Sequence, residues 1–131
     1  MNAHAKGTFV VNLTQQESGT DHAIGRMTID KKFTGDLDAT SAGEMLAVGT
    51  AVAGSAGYVA MERVSGTLAG REGTFALQHS GTMTRGDATL SVTVVPDSGT
   101  GDLAGLSGTM TIERTGDGHR YEFAYALPGV P

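Results

Sequence analysis

The chain has 131 residues and no cysteine, which fits one domain with a single core and excludes a disulfide framework and thiolate chemistry. A net charge of −5 with nine scattered lysines and arginines argues against nucleic acid, because phosphate binding needs clustered cations. No apolar run is long enough to span a bilayer and the first residues lack the order of a secretory signal. We therefore expect a cytoplasmic protein with neither nucleic-acid nor membrane partners.

Glycine and threonine content favours strands over helices along the whole chain. Twenty glycines are spread evenly, and each would cost a helix interior about 1 kcal/mol relative to alanine. Threonine is β-branched and prefers extended backbone. The alternation of apolar residues predicts eight strands, over residues 8–13, 24–33, 37–48, 58–68, 74–84, 88–95, 106–114 and 120–127. The third strand has an alternative, since residues 42–53 also suit a short helix. The Lys31-Lys32 pair in the second strand is interpreted as a solvated strand end.

Short connections between these strands predict the topology. Turn residues that accept positive φ lie at 53–57, 70–73, 85–87 and 116–118, at the regular spacing of an antiparallel meander. Closure into a barrel would remove the exposed edges of such a sheet. We predict an all-β fold, a single closed antiparallel barrel of eight strands, with one domain over residues 1–131 and loose ends at about 1–6 and 128–131. An eight-stranded barrel is filled by its side chains or holds one small ligand.

A glycine-rich segment at residues 98–108 carries a family resemblance. Gly99, Thr100, Gly101, Gly105 and Gly108 follow a pattern that resembles the Gly-Thr-Gly-x-aromatic-x-Gly-x-x-Gly signature of allene oxide cyclases and dirigent proteins, with leucine at 103 where the cyclases prefer an aromatic residue. We interpret these five residues as a structural turn motif. The resemblance implies a calycin-like barrel that is often oligomeric and has an apolar interior.

A second resemblance covers nearly the whole chain. The residues that carry it are Glu62, Gly70-Arg71, Gln78-His79-x-Gly81 and His119-x-Tyr121, and they are similar to those of a bacterial family of uncharacterised function related to that barrel. This resemblance implies no settled activity, because a fold does not fix a function.

Strand periodicity selects the candidate site residues. Both faces of the fourth strand carry apolar residues, and of the two we favour the register that places Glu62 inward. His79 also faces inward if Phe75 and Leu77 do. The candidate catalytic residues are Glu62 and His79, since a carboxylate paired with a histidine in an apolar interior suits general acid–base catalysis; the sequence leaves open whether the two meet. Candidate ligand-binding residues on the same or neighbouring strands are Tyr58, Phe75, Leu77, Gln78, Tyr121, Phe123 and Tyr125. We expect a small apolar ligand, no metal and no other cofactor.

Each candidate residue also has a structural interpretation. Glu62 would pair with Arg71 or Arg63, His79 would be a satisfied core residue, and His119 would be solvated in a hairpin turn. Three functions therefore compete: an isomerase- or cyclase-type enzyme, a non-catalytic carrier, and a structural or assembly barrel with a filled interior. Apolar residues on both faces of the fourth strand, such as Val59 and Met61 opposite Ala60 and Val64, predict a homodimer or another small homo-oligomer.

Overall fold

A computed structural model of the protein describes residues 3–116 and 118–130. Eight antiparallel strands close into one barrel, in which each strand pairs with its neighbours in chain order and the first pairs with the last. The strands are β1 (Ala3–Gln16), β2 (Gly25–Gly35), β3 (Leu37–Gly49), β4 (Ala56–Leu68), β5 (Arg71–Thr84), β6 (Asp87–Val94), β7 (Ser107–Thr115) and β8 (Gly118–Ala126), with one short 3₁₀ helix at Gly101–Leu103. The predicted fold class is confirmed.

Two expectations about individual segments differ from the structure. The alternative helix over residues 42–53 is wrong, because β3 runs through Gly49 and pairs with β4 along its whole length. Residues 3–6 are not a loose end, since they pair with β8 from Tyr125 to Glu122. This pairing joins segments more than a hundred residues apart, so local pattern gives no sign of it. No helix in the described part of the chain is long and apolar enough to cross a membrane.

The barrel interior has a filled half and an open half. The filled half surrounds the β2–β3 and β4–β5 turns and is packed with large buried side chains: Phe33, Leu37, Val64, Leu68, Phe75, Leu77, Met110, Tyr121, Phe123, Tyr125 and Leu127. The open half lies towards the opposite ends of the strands, where inward side chains such as Leu13 and Leu90 are exposed. A site for a small molecule therefore has room only at one end.

The glycine-rich segment closes the filled end. Its 3₁₀ turn inserts Leu103, which has no exposed surface, and Leu106 follows at 2% exposure. Thr100 holds the segment to β5, where its N–H donates to the Thr74 carbonyl at 2.8 Å and its hydroxyl lies 2.6 Å from that of Thr74. Gly101 has a φ of +59°, a backbone conformation that glycine adopts without steric cost. The segment therefore lies along β5 beyond the end of β6. Between β6 and β7 themselves, the paired residues are Thr93 and Thr109.

Gly99 and Gly105 are required in this connection for steric reasons. A Cβ atom at Gly99 would overlap the Leu103 carbonyl, and one at Gly105, where φ is +82°, would contact the Pro128 ring. The same kind of close approach occurs at Gly108, which packs against β8. The glycine motif predicted from the sequence therefore has a structural role, since it allows the segment that closes the filled half to pack tightly.

The Tyr121 hydroxyl completes the backbone hydrogen bonding at the β2–β3 turn. It accepts a hydrogen bond from the Leu37 N–H at 2.9 Å and lies within donor range of two carbonyls, those of Leu37 at 3.2 Å and Thr34 at 3.3 Å. Burial raises the pKa of Tyr121, so the phenol keeps its proton and can serve as both donor and acceptor. A side chain on β8 thus stabilises a turn more than eighty residues away in sequence.

Replacing this hydroxyl tests its contribution. Tyr121→Phe leaves the buried Leu37 N–H without its partner, and we expect the free energy of unfolding to fall by about 1–3 kcal/mol in urea denaturation. Tyr125→Phe, four residues further along the same inward face, is the matched control and should change the free energy of unfolding by less than about 0.5 kcal/mol. Equal losses in the two variants would contradict the assigned role.

Candidate functional site

The open half of the barrel contains a cavity of about 230 Å³. Most of the side chains around it are apolar, and together the lining residues come from all eight strands. The lining residues are Phe9, Val11, Leu13, Ile29, Lys31, Met45, Tyr58, Ala60, His79, Leu90, Ile112 and His119. The volume equals that of about seven or eight water molecules at ~30 Å³ each. Polar groups are few and lie at defined positions in this wall, which is the usual composition of a ligand site.

A buried carboxylate lies beneath the cavity and joins three other side chains. Glu62 on β4 has a fully buried side chain, and its Oε1 lies 3.2 Å from Lys31 Nζ and 3.1 Å from His79 Nε2. Its second oxygen, Oε2, accepts a hydrogen bond from the Ser41 hydroxyl at 3.0 Å. The three partners come from β2, β5 and β3. We call Lys31, Ser41, Glu62 and His79 the charge cluster.

Gly43 on β3 makes space for this arrangement. It pairs directly with Glu62, and a Cβ atom there would lie 2.7 Å from the Glu62 Cα and 2.8 Å from its Cβ. Real Cβ atoms do not approach so closely, so β3 and β4 can pack at this distance only around a glycine. The glycine therefore permits the close pairing of β3 with β4 at Glu62.

Glu62 is held as a carboxylate. Burial raises its pKa, but the hydrogen bond from His79 and the positive charge of Lys31 outweigh burial and bring the pKa of Glu62 below its ordinary value. Since an ionised carboxylate only accepts hydrogen bonds, the Nε2 of His79 must be the donor in their contact. The carboxylate thus determines which nitrogen of the imidazole carries the proton.

Lys31 is buried, in contrast to the solvated strand end predicted for it. Its side chain is 6% exposed, and Nζ lies 4.6 Å from the centre of the Phe9 ring, within range of a cation–π interaction. Because strand residues alternate, Lys31 faces inward between Ile29 and Phe33 while Lys32 faces outward and pairs with Asp38. The alternation of inward and outward residues along β2 could have shown that Lys31 faces the interior. The two adjacent lysines were instead interpreted together as a solvated pair.

His119 also differs from its predicted position. It lies within β8, half-buried, and stacks on Phe9 with ring centres 4.8 Å apart. Burial and the positive charges of Arg114 and Lys31 lower its pKa, which favours a neutral imidazole. Lys31, Ser41 and His119 are the polar residues of the site that sequence reasoning missed.

The predicted site residues separate into three groups. His79 and Tyr58 line the cavity, with ring centres 6.5 Å apart, and the pKa of Tyr58 is raised by burial and by the charge of Glu62. Glu62 contacts His79, a meeting that the sequence left open, but it is not a lining residue of the cavity, and it pairs with Lys31 in place of Arg63 or Arg71. The third group lies away from the cavity: Phe75, Leu77, Tyr121, Phe123 and Tyr125 pack in the filled half, and Gln78 faces outward.

Fold and site together define a class: small closed β-barrels with a solvent-open internal cavity above a buried charge cluster. Residues 5–125 match the family described as Protein of unknown function (DUF3224), and the chain belongs to this family. It is similar to the crystal structure of a DUF3224-family protein with unknown function from Shewanella oneidensis MR-1, with 47% identity and a TM-score of 0.93 over 99% of this chain and 100% of that one. No curated protein matches the chain. The resemblance to a bacterial family of uncharacterised function is confirmed.

Removing one member of the buried ion pair of Lys31 and Glu62 should lower the free energy of unfolding more than removing both members. Glu62→Gln leaves the Lys31 ammonium buried without a counter-charge, and we expect a loss of about 3–5 kcal/mol in the free energy of unfolding. The double variant Lys31→Met/Glu62→Gln removes the stranded charge and should recover most of that loss. Urea denaturation of the single and double variants measures the difference. Additive losses would contradict the coupling.

The stability should also decrease in acid because of Glu62. Its folded pKa lies below the unfolded value of about 4.3, so its stabilising contribution is present above that value and is lost as pH falls through the folded pKa. The stability difference between the native protein and Glu62→Gln should therefore be constant near neutral pH and shrink below about pH 4. Denaturation series at several pH values measure it, and an unchanged difference in acid would contradict the lowered pKa.

Proposed function

We propose that the protein binds one small, mostly apolar molecule carrying an oxygen acceptor group, in the cavity at the open end of the barrel. The observation that supports this most directly is the cavity of about 230 Å³ with Lys31 and His79 in its wall. Apolar side chains around it supply binding free energy by removing the ligand's surface from water. The polar end of the ligand would interact with the ammonium and the imidazole.

Lys31 has hydrogen-bonding capacity left for such a ligand. Its ammonium carries three donors, and one of them is directed at Glu62. The apolar surroundings of Lys31, which include Phe9 and Phe33, strengthen any interaction with an acceptor that enters. A carbonyl or carboxylate oxygen fits these donors, whereas a purely hydrocarbon ligand would leave them without partners.

Two activities are compatible with this binding site. An isomerase- or cyclase-type enzyme would use the proposed acid–base pair, for which the 3.1 Å contact of Glu62 with His79 is a suitable geometry. A carrier would use the same cavity without chemistry. The contact of His79 with the cavity favours the enzyme, while a barrel with a purely structural role has no need of an open half. Kinship with the allene oxide cyclases and dirigent proteins is part of the proposal and rests on the glycine motif alone.

The outer wall of β3 and β4 supports a further part of the proposal, a homodimer. Leu46 and Val59 are cross-strand neighbours there, and with Met61 they leave about half of each side chain exposed. Together with Val48 these residues form what we call the outer apolar patch, beside the exposed ion pair of Arg26 and Glu44. A second copy of the chain would cover this patch by a two-fold contact. A cytoplasmic location, expected from the absence of cysteine, belongs to the same proposal.

Ligand binding can be measured by NMR with 4-phenylbutan-2-one, an apolar ketone small enough for the cavity. We expect amide shift changes to concentrate around His79, Ala60 and Ile112. Ala60→Leu adds volume inside the cavity and should weaken binding at least about tenfold, and Val59→Leu, the adjacent outward residue, should leave it unchanged. Shifts confined to the outer apolar patch would contradict the proposed site.

The oligomeric state can be measured by size-exclusion chromatography with light scattering. We expect about twice the chain mass of 13.4 kDa, and Val59→Lys should give a monomer because it places a charge at the centre of the outer apolar patch. Thr8→Lys, on the exposed face of β1, is the control and should remain dimeric. A native protein of single-chain mass would contradict the homodimer.

A further inference from the structure

We propose that the cavity enolises small apolar ketones or aldehydes, with the Nδ1 atom of His79 as the base and the Lys31 ammonium as the partner of the developing oxyanion. This inference rests on the proposed binding function and names its substrate class and reaction. It assigns a role to Lys31, and it makes Glu62 a positioning residue that has no contact with substrate.

The orientation of His79 supports its role as the base. Nε2 donates to the carboxylate of Glu62 at 3.1 Å, which places the lone pair of the neutral imidazole on Nδ1. Within the described residues, Nδ1 has no hydrogen-bond partner, and no fully buried side-chain nitrogen or oxygen lacks one. Nδ1 therefore reaches accessible space, and His79 is a lining residue of the cavity. A carboxylate that orients an imidazole in this way is a recurrent device of general base catalysis.

Lys31 is placed to interact with the carbonyl oxygen of the substrate while His79 acts on the adjacent carbon. Its Nζ contacts the same Glu62 oxygen as His79 does, so the base and the cation lie side by side at the cavity wall. A carbonyl oxygen directed at the ammonium would place the adjacent carbon near the imidazole. The nearly complete burial of Lys31 excludes most water, and a fixed charge in such a place stabilises a developing oxyanion strongly.

The proposed step conserves atoms and electrons without another reactant. Nδ1 takes a proton from the carbon next to the carbonyl, the C–H electron pair becomes the C=C bond of the enolate, and the carbonyl π pair moves to oxygen beside Lys31. The imidazolium then returns the proton to the same carbon, or to the γ carbon when the substrate is a β,γ-unsaturated ketone. In D₂O the proton on Nδ1 exchanges with solvent deuterium before it is returned, so return to the same carbon labels that carbon. Return to the γ carbon moves the double bond into conjugation.

Deuterium exchange tests the inference with the same ketone used for binding. 4-Phenylbutan-2-one is incubated with the protein in D₂O, and loss of its α-proton signals is followed by NMR. We expect exchange at least about 100-fold faster than with an equal concentration of free imidazole. Ala60→Leu should abolish the excess rate by blocking the cavity, and Val59→Leu should retain it.

Each failure has a distinct meaning. A ketone that binds in the cavity without accelerated exchange overturns the inference and leaves the proposed binding function intact. Absence of binding overturns both. Equal exchange in Ala60→Leu and the native protein places the reaction outside the cavity and overturns the inference. A covalent adduct on Lys31 after borohydride reduction shows an imine route and overturns the role given to the ammonium.

Variants of His79 and Glu62 in the charge cluster distinguish an effect on the exchange reaction from an effect on ligand binding. His79→Gln keeps an N–H donor for Glu62 but removes the base, and exchange should fall at least about 100-fold while the ketone still binds. Glu62→Gln should lower the exchange rate with less than about threefold change in ketone affinity, since Glu62 acts through His79. A loss of affinity equal to the loss of rate would show that Glu62 has only a structural role, and full activity of His79→Gln would overturn the assignment of the base.

Discussion

The buried carboxylate of Glu62 is the interaction on which the open half of the barrel depends. It accepts hydrogen bonds from Lys31 on β2, Ser41 on β3 and His79 on β5. Since Glu62 itself lies on β4, these bonds link four consecutive strands. A charge in the interior is tolerated only when it is neutralised and its remaining lone pairs are satisfied. The cluster meets both conditions, since no fully buried polar side-chain atom in the described residues lacks a partner. A packed hydrophobic core could have stabilised these strands equally well, so the cluster is better explained by the cavity above it than by stability.

The two halves of the interior have complementary roles. The filled half, closed by Leu103 and Leu106, supplies the apolar burial that a small barrel needs for stability. This permits the other half to remain open without loss of the fold. The cavity wall is built on paired strands, which hold side chains more rigidly than loops do, and such positions suit groups whose geometry must be fixed before a ligand enters.

The arrangement of Lys31 and His79 on one oxygen gives the site its chemical character. Each group alone has an ordinary structural explanation, as a buried ion pair or a satisfied core histidine. Their shared acceptor places a cation and an imidazole side by side at an apolar surface. That combination suits a ligand with a carbonyl group, because it offers a charge to the oxygen and a base to the neighbouring carbon.

The sequence by itself determined the class of fold, the strand-rich meander and the glycine motif as a structural element, because strand alternation and turn chemistry are local properties. It favoured the inward face for Glu62 without deciding it, since both faces of that strand carry apolar residues. It did not show that residues 3–6 pair with β8. It also did not show that Lys31, beside an outward lysine, reaches Glu62 two strands away. It also did not show which aromatic residues line the cavity: Phe75, Tyr121 and Phe123 share a strand face with cavity-lining residues but lie at the filled end. Period two fixes the face of a strand and leaves the depth along the barrel undefined. Only barrel closure, through the register between distant strands, determines which inward residues meet at the same level.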